Sequence, residues 1–318
     1  MNRLATAYPP DRVVLREVGL RDGLQMVDRY PSTAAKVEWI RRESEAGVRH
    51  FEIGSFLPAK SMPQFADVRA IIAACQNLNA HSAALVLNSR GVADAVQTPV
   101  REIVTVVSAT EEHSQANARR PRKEAIALVA QAVELAGRSG VKPLVQTGIS
   151  MAFGCSIAGE VNPNEVVSLA ARCVEAGADI IGLADTVGFA GPDQVEDLVT
   201  RVHQELGDIV LSIHLHDTRG MGIANASAAL DAGVRVIDGS MGGLGGCPFA
   251  PGATGNIVFE DLVYLCERKG FATGIDLEKL MSVRDIAASE MPDDKLYGAL
   301  ARAGSPRQIN WQAKHPTK

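Results

Sequence analysis

No segment of this sequence approaches the roughly 18 consecutive apolar residues that a membrane-spanning helix needs. Residues Met1 to Arg12 also lack the apolar core of a secretion signal. Cysteine is sparse. The five (Cys75, Cys155, Cys173, Cys247 and Cys266) are odd in number, widely spread and never spaced C-x-x-C. That excludes a disulfide scaffold and a zinc cluster, and it fits a reducing compartment. Basic residues are not in excess: 32 Lys and Arg stand against 37 Asp and Glu, for a net charge of −5. A nucleic-acid-binding surface is therefore not expected. Neither a phosphate-cradling G-K-[ST] loop nor a dinucleotide-type G-x-G-x-x-G after a strand is found. These absences describe a cytoplasmic chain that binds neither nucleic acid nor membrane.

What is present is an ordinary globular mixture, with 46% hydrophobic and 22% charged residues over 318 positions. That length allows two average domains or one large α/β barrel. The pattern selects the barrel. Short β-branched runs recur at Val13–Val18, His50–Ile53, Ser82–Leu87, Glu102–Val107, Lys142–Ile149, Ile180–Leu183, Val210–His216 and Val236–Gly239. Helical patterns follow each run, over Thr33–Ala46, near Phe65–Ala74, to about Val96, and over Lys123–Arg138, Pro163–Ala176, Pro192–Leu206, Gly222–Ala232 and Asn256–Lys269. Three of these helices end in a repeated phrase, Glu45-Ala46-Gly47, Glu175-Ala176-Gly177 and Asp231-Ala232-Gly233, with glycine at the C-cap. Eight strand–helix units predict a (β/α)8 TIM barrel. Residues 1–274 form this catalytic domain, and 275–318 form an extra helical extension packed on it.

Active sites of such barrels lie at the C-terminal ends of the strands. The polar residues gather there: Arg21-Asp22, Glu52, Asn88, Ser108, Thr110-Glu111, Asp185 and His214-x-His216-Asp217. His214 and His216 are two apart in a strand and so point to one face. Two imidazoles side by side suit a shared metal ion. Asp22 after strand one and Asn256 after strand eight are candidates to complete the ligand set. Two nitrogens with carboxylate and carbonyl oxygens favour an octahedral ion such as Mg²⁺ or Mn²⁺ over tetrahedral zinc. Arg21 would place a cation beside the metal, where an enolate oxygen could develop. Glu52 either pairs with Arg21 or acts in catalysis, and Asp185 is either an orienter of a ligand or a turn residue. The glycine-rich stretch from Gly242 to Gly255, which includes Gly245, Gly246 and Cys247, reads as a substrate-covering loop with a reactive thiol.

Glu17-Val18-Gly19-Leu20-Arg21-Asp22-Gly23-Leu24-Gln25, Ser55-Phe56, His214-Leu215-His216-Asp217-Thr218 and Gly243-Leu244-Gly245-Gly246-Cys247-Pro248 resemble the hydroxymethylglutaryl-CoA lyase family. The likeness runs in order from about Val13 to Leu280. R-D-G and H-x-H are shared with condensing enzymes of the superfamily, whereas the glycine–cysteine loop is specific to the lyases. The resemblance implies metal ligation by Asp22, His214, His216 and Asn256. It implies polarisation of a thioester carbonyl by Arg21, support from Glu52 and Asp185, and closure of the Cys247 loop over substrate. Gln25, Gly245 and Gly246 join Arg21 as expected substrate contacts. The implied reaction is retro-Claisen cleavage of 3-hydroxy-3-methylglutaryl-CoA to acetoacetate and acetyl-CoA, with His214 or Cys247 protonating the enolate. The alternatives are cleavage of a related 3-hydroxyacyl-CoA, such as citramalyl-CoA or a longer-branched glutaryl-CoA, or condensation of acetyl-CoA with a 2-oxo acid. The sequence departs from the family pattern at Leu20, at Met26-Val27-Asp28 and at Met151-Ala152-Phe153-Gly154-Cys155, all in rim loops where substrate fit is decided. The expected partners are an acyl-CoA and a second copy of the chain, in a homodimer or higher homo-oligomer.

Overall fold

The computed structural model describes residues 3–245 and 255–306. Its centre is a closed barrel of eight parallel strands in sequence order: β1 Val14–Glu17, β2 His50–Ser55, β3 His81–Leu85, β4 Glu102–Ser108, β5 Leu144–Ser150, β6 Ile180–Asp185, β7 Val210–Leu215 and β8 Val236–Gly239. Closure is direct, with Val14, Leu15, Arg16 and Glu17 of β1 paired to Val236, Ile237, Asp238 and Gly239 of β8. The (β/α)8 architecture expected from the alternating pattern is the one formed.

The strands read as near-continuous apolar runs because both faces are covered. On β4, Ile103 and Val107 join the large core beneath the helices. Val104 and Val106, one position out of phase, line the cavity inside the barrel. Helices Thr33–Ala46, Val68–Asn77, Ser89–Ala95, Arg122–Arg138, Pro163–Glu175, Pro192–Leu206, Gly222–Asp231 and Phe259–Arg268 form the outer ring. Gly47, Gly177 and Gly233 do terminate three of them at φ values of 110°, 100° and 101°, a backbone region that glycine enters without steric cost.

Several elements were not expected, among them a short helix at Arg3–Ala7. A helix over Glu111–Ala118 precedes Arg122–Arg138, and a π-helical turn, Gly19–Gly23, follows β1. The eighth helix begins at Phe259 rather than Asn256, because residues 255–258 run extended across the ends of β7 and β8. There His216 pairs with Asn256, and Ser240 with Val258. At the opposite end a small cluster of Tyr8, Val14, Leu144, Ile180 and Val236 closes the barrel floor. The C-terminal helices Leu277–Ser282, Arg284–Glu290 and Ala299–Ala303 lie against the barrel. They are held there by Arg42 donating to Ser282 O (2.6 Å), by Arg284 paired with Glu260 (2.6 Å) and by Tyr297 N donating to Gly242 O (2.7 Å).

Candidate active site

β7 carries His214 to the rim and His216 one residue beyond the strand's end, so both rings face the interior. Their Nε2 atoms lie 3.2 Å apart. Asp22, held in the π-helical turn by its N–H on Val18 O (2.8 Å), brings Oδ2 to 3.6 Å from His216 Nε2 and 3.8 Å from His214 Nε2. Adjacent ligands of an octahedral ion bound at ~2.1 Å are about 3.0 Å apart, so the edges of the triangle would close by about 0.2 to 0.8 Å around a cation. Asn256 enters through backbone pairing with His216, and its Nδ2 donates to Asp22 Oδ2 (2.8 Å) and Leu244 O (2.9 Å). Its Oδ1 is buried without a hydrogen-bond partner, a costly state that coordination would relieve. Asp22, His214 and His216, with the Asn256 amide beside them, fit a divalent metal.

The charge around this triangle is organised in two directions. Arg21 Nη1 pairs with Asp22 Oδ1 (2.5 Å) and Nη2 with Glu52 Oε2 (2.7 Å). Burial alone would push the Asp22 carboxyl up; Arg21 and the two histidines outweigh it and hold it well below the usual range. Below the rim, His214 Nδ1 meets Asp238 Oδ2 at 3.2 Å. Asp238 is gripped by Arg16 through Nε (2.9 Å) and Nη2 (3.0 Å), while Arg16 Nη1 donates to Glu102 Oε1 (2.8 Å) and Gln146 Oε1 (2.7 Å). Tyr8 OH donates to Glu102 Oε2 at 2.6 Å. A continuous polar chain thus runs from the barrel floor to His214. Burial would lower the His214 pKa, but Asp238 and Asp22 together raise it.

Asp238, Arg16, Glu102 and Gln146 were not singled out from the sequence. The signal was available, since a charge inside a short barrel strand needs a partner. Gln25 lies within reach of Arg21, Nη1 to Oε1 at 3.4 Å. Asp185 accepts from Phe189 N (2.8 Å) and Ala190 N (3.0 Å), which organises the loop after β6; of its two expected roles, these bonds are those of the turn residue. Asn88 caps helix Ser89–Ala95. Glu111 accepts from Arg122 N (3.1 Å). Gly245 sits against the ligands: a Cβ there would meet Asn256 Nδ2 at 2.4 Å, and its φ is +111°. Gly246 and Cys247 lie outside the described residues.

The cavity enclosed by these groups has a volume of ≈ 340 Å³ and reaches from Arg21, Asp22 and His216 at the rim down to Arg16 and Gln146. Its other walls are Leu57, Met62, Phe65, His113 and Asn117 on one side, and Gly148, Gly182 and Ser212 on the other. No helix among the described residues is long and apolar enough to cross a membrane.

Comparison with known proteins agrees with this geometry. Residues 12–287 match the model of the HMGL-like family. The hydroxymethylglutaryl-CoA lyase of Bacillus subtilis is 35% identical over 86% of this chain and 91% of its own. The (R)-citramalyl-CoA lyase of Chloroflexus aurantiacus is 38% identical over 86% and 90%. Among solved structures, an HMG-CoA lyase from Acinetobacter baumannii in complex with coenzyme A and 3-methylmalate superposes with a TM-score of 0.85 at 34% identity, covering 95% of this chain and 98% of that one. A family match spanning nearly the whole barrel, with relatives of this similarity along their full length, places the chain in the HMGL-like family of lyases.

Proposed function

We propose that this enzyme is a divalent-metal-dependent carbon–carbon lyase that cleaves a 3-hydroxy-3-alkylglutaryl-CoA, of which hydroxymethylglutaryl-CoA is the simplest, releasing acetyl-CoA and a 3-oxo acid. The observation that carries the reading is the Asp22–His214–His216 triangle with Arg21 locked beside it between Asp22 and Glu52. A divalent cation, Mg²⁺ or Mn²⁺, held by Asp22, His214, His216 and Asn256 would polarise the substrate hydroxyl. Arg21, fixed by two carboxylates and with its Nε unpartnered in the site, is placed to take the negative charge that develops on the thioester oxygen. In the reaction the hydroxyl proton passes to a base and the carbinol C–O becomes a carbonyl. The C2–C3 bond breaks, and its electron pair becomes the enolate of acetyl-CoA. That carbon is then protonated by His214 or Cys247, the two proton carriers that the family resemblance implies. Glu52 acts by holding Arg21, and Asp185 by holding the loop after β6.

Cleavage of citramalyl-CoA is the second reading, favoured by the similarity to the (R)-citramalyl-CoA lyase. The test is acetyl-CoA release from hydroxymethylglutaryl-CoA and from citramalyl-CoA, with Mn²⁺ present and then chelated. Metal-dependent release with a higher kcat/KM for the first supports the primary reading, and preference for the second transfers the same chemistry to citramalyl-CoA. Release from neither, nor from a longer 3-alkyl homologue, refutes both and directs attention to condensation with 2-oxo acids.

A further inference from the structure

The interior of a (β/α)8 barrel is ordinarily filled by layers of bulky side chains, and here one level is hollow. Gly148 of β5, Gly182 of β6 and Ser212 of β7 are successive register partners, and all three line the cavity. Gly148 sits inside a strand, where glycine is unfavourable by about 0.5–1 kcal/mol relative to alanine. Its backbone asks for no glycine, since it is absent from the residues of positive φ. Nor does packing ask for one: a Cβ built on it would meet nothing nearer than Thr105 O at 3.8 Å. A strand glycine without either reason marks the approach of a ligand.

The register places that ligand. Ser212 is two residues before His214 on β7, so this level is one inward-facing position beneath the proposed metal ligands. The neighbouring wall is apolar: Val106 is the register partner of Gly148, and Leu85 and Val104 form a separate small cluster with it inside the barrel. The floor is Arg16, fully engaged by Asp238, Glu102 and Gln146. Two carboxylates against one guanidinium give that floor no attraction for an anionic group. The walls of the hollow are thus mixed, with Ser212 and the Gln146 amide polar and Leu85, Val104 and Val106 presenting carbon, and carbon placed against that apolar side regains the contacts an empty space forfeits.

We infer that the hollow receives the alkyl substituent on the carbinol carbon of the substrate, and that this substituent is a chain of several carbons rather than a methyl group. The inference rests on the lyase reading and specifies its substrate class. The test compares kcat/KM for acetyl-CoA release from 3-hydroxy-3-pentylglutaryl-CoA and from hydroxymethylglutaryl-CoA, in the full chain with Mn²⁺. The wild type is expected to cleave the pentyl compound at or above the methyl rate. G148V from one wall and V106F from the adjacent one are each expected to lower the pentyl-to-methyl ratio by at least about tenfold, the scale on which pocket size discriminates single methylene groups. Cleavage of the methyl compound with a lower kcat/KM for the pentyl one overturns the inference and leaves the lyase reading intact. A ratio unchanged in both folded variants overturns the placement of the chain, and cleavage of neither compound removes both proposals.

Discussion

Arg16 carries the heaviest structural load of any single charge in the barrel, and R16M measures it. The guanidinium is 1% exposed and makes four hydrogen bonds, two to Asp238, one to Glu102 and one to Gln146. Methionine fills much of the same volume but leaves two buried carboxylates without their cation. Breaking a buried pair in this way costs about 3–5 kcal/mol. Unfolding entropy of ~2.1 cal/mol/K per residue over 318 residues gives roughly 0.67 kcal/mol per degree, so Tm should fall by about 4–8 °C at pH 7. The loss has a pH signature. In the wild type, burial would raise the carboxyls of Glu102 and Asp238, but their partners, Arg16 among them, hold both below their usual values. That stability is present above the unfolded pKa of ~4 and is lost as pH falls through the folded values. In R16M burial is opposed only by His81 and Tyr8 at Glu102 and by His214 at Asp238, so both carboxyls move up from their wild-type positions and the variant loses less on acidification. The gap between the two proteins is therefore full at pH 7 and smaller at pH 5. Thermal melts at both pH values, with far-UV circular dichroism to establish the fold, read it directly. A drop of less than about 2 °C at pH 7, or an equal gap at pH 5, refutes the account of Arg16 as the clamp on two carboxylates.

Metal binding is tested without turnover: Mn²⁺ at about a hundred times its Kd should raise Tm by roughly 4 °C, the equivalent of ~2.7 kcal/mol, and EDTA should reverse it. D22A and H216A should abolish that shift and lower kcat/KM by about 10³-fold or more, since several kcal/mol of charge stabilisation is removed; a retained shift in both variants contradicts the ligand assignment. G245A forces a Cβ to 2.4 Å from Asn256 Nδ2 at a φ of +111°. About 1–3 kcal/mol of strain follows, hence a fall of roughly 2–4 °C in Tm, together with weaker Mn²⁺ binding in titration calorimetry; unaltered binding would separate Gly245 from the ligands. Burial pushes the Glu17 carboxyl up to about 8 and raises Glu43 and Glu260 with it. Folded values above the unfolded ~4.5 mean that stability is whole at low pH and declines as pH rises towards 8 and beyond, by up to about 1.4 kcal/mol per pH unit for each group. Melts from pH 6 to 9 should show this decline and a flatter profile in E43Q, and identical profiles would refute the like-charge coupling.

The barrel was legible because most strands announce themselves as short apolar or β-branched runs and three helices end in the same glycine-capped phrase. H-x-H was legible because strand periodicity fixes where two alternate side chains point, whatever the rest of the chain does. The helix Glu111–Ala118 escaped because its sequence, EEHSQANA, offers no apolar stripe; only His113 and Ser114 are buried in it. Asn256 was expected at the start of a helix, where its side chain would suit a cap. It lies instead in an extended bridge to His216, a pairing across 40 residues that no local pattern encodes. The network beneath His214 was hidden for a similar reason. Arg16, Glu102 and Asp238 each looked like one charge in an apolar run, and only barrel closure, which sets β1 beside β8, turns them into a set of partners.

Chemistry and selectivity occupy different levels of the same barrel, and strand geometry keeps them separable. Inward-facing positions two residues apart belong to successive layers. The proposed metal ligands are therefore fixed at the rim by β7, the turn after β1 and the bridge to Asn256, while Gly148, Gly182 and Ser212 make the layer below. Exchanging a side chain in that lower layer alters what fits beneath the metal without moving a ligand. Overall identity is then a weak guide to substrate, because two or three interior positions decide it against a background of some three hundred. Relatives named for different acyl-CoA substrates do resemble this chain to nearly the same degree. It follows that substrate preference should respond to changes at Gly148 and Val106 far more than to changes of similar size in the outer helices, where added volume meets only the packed core beneath the barrel wall.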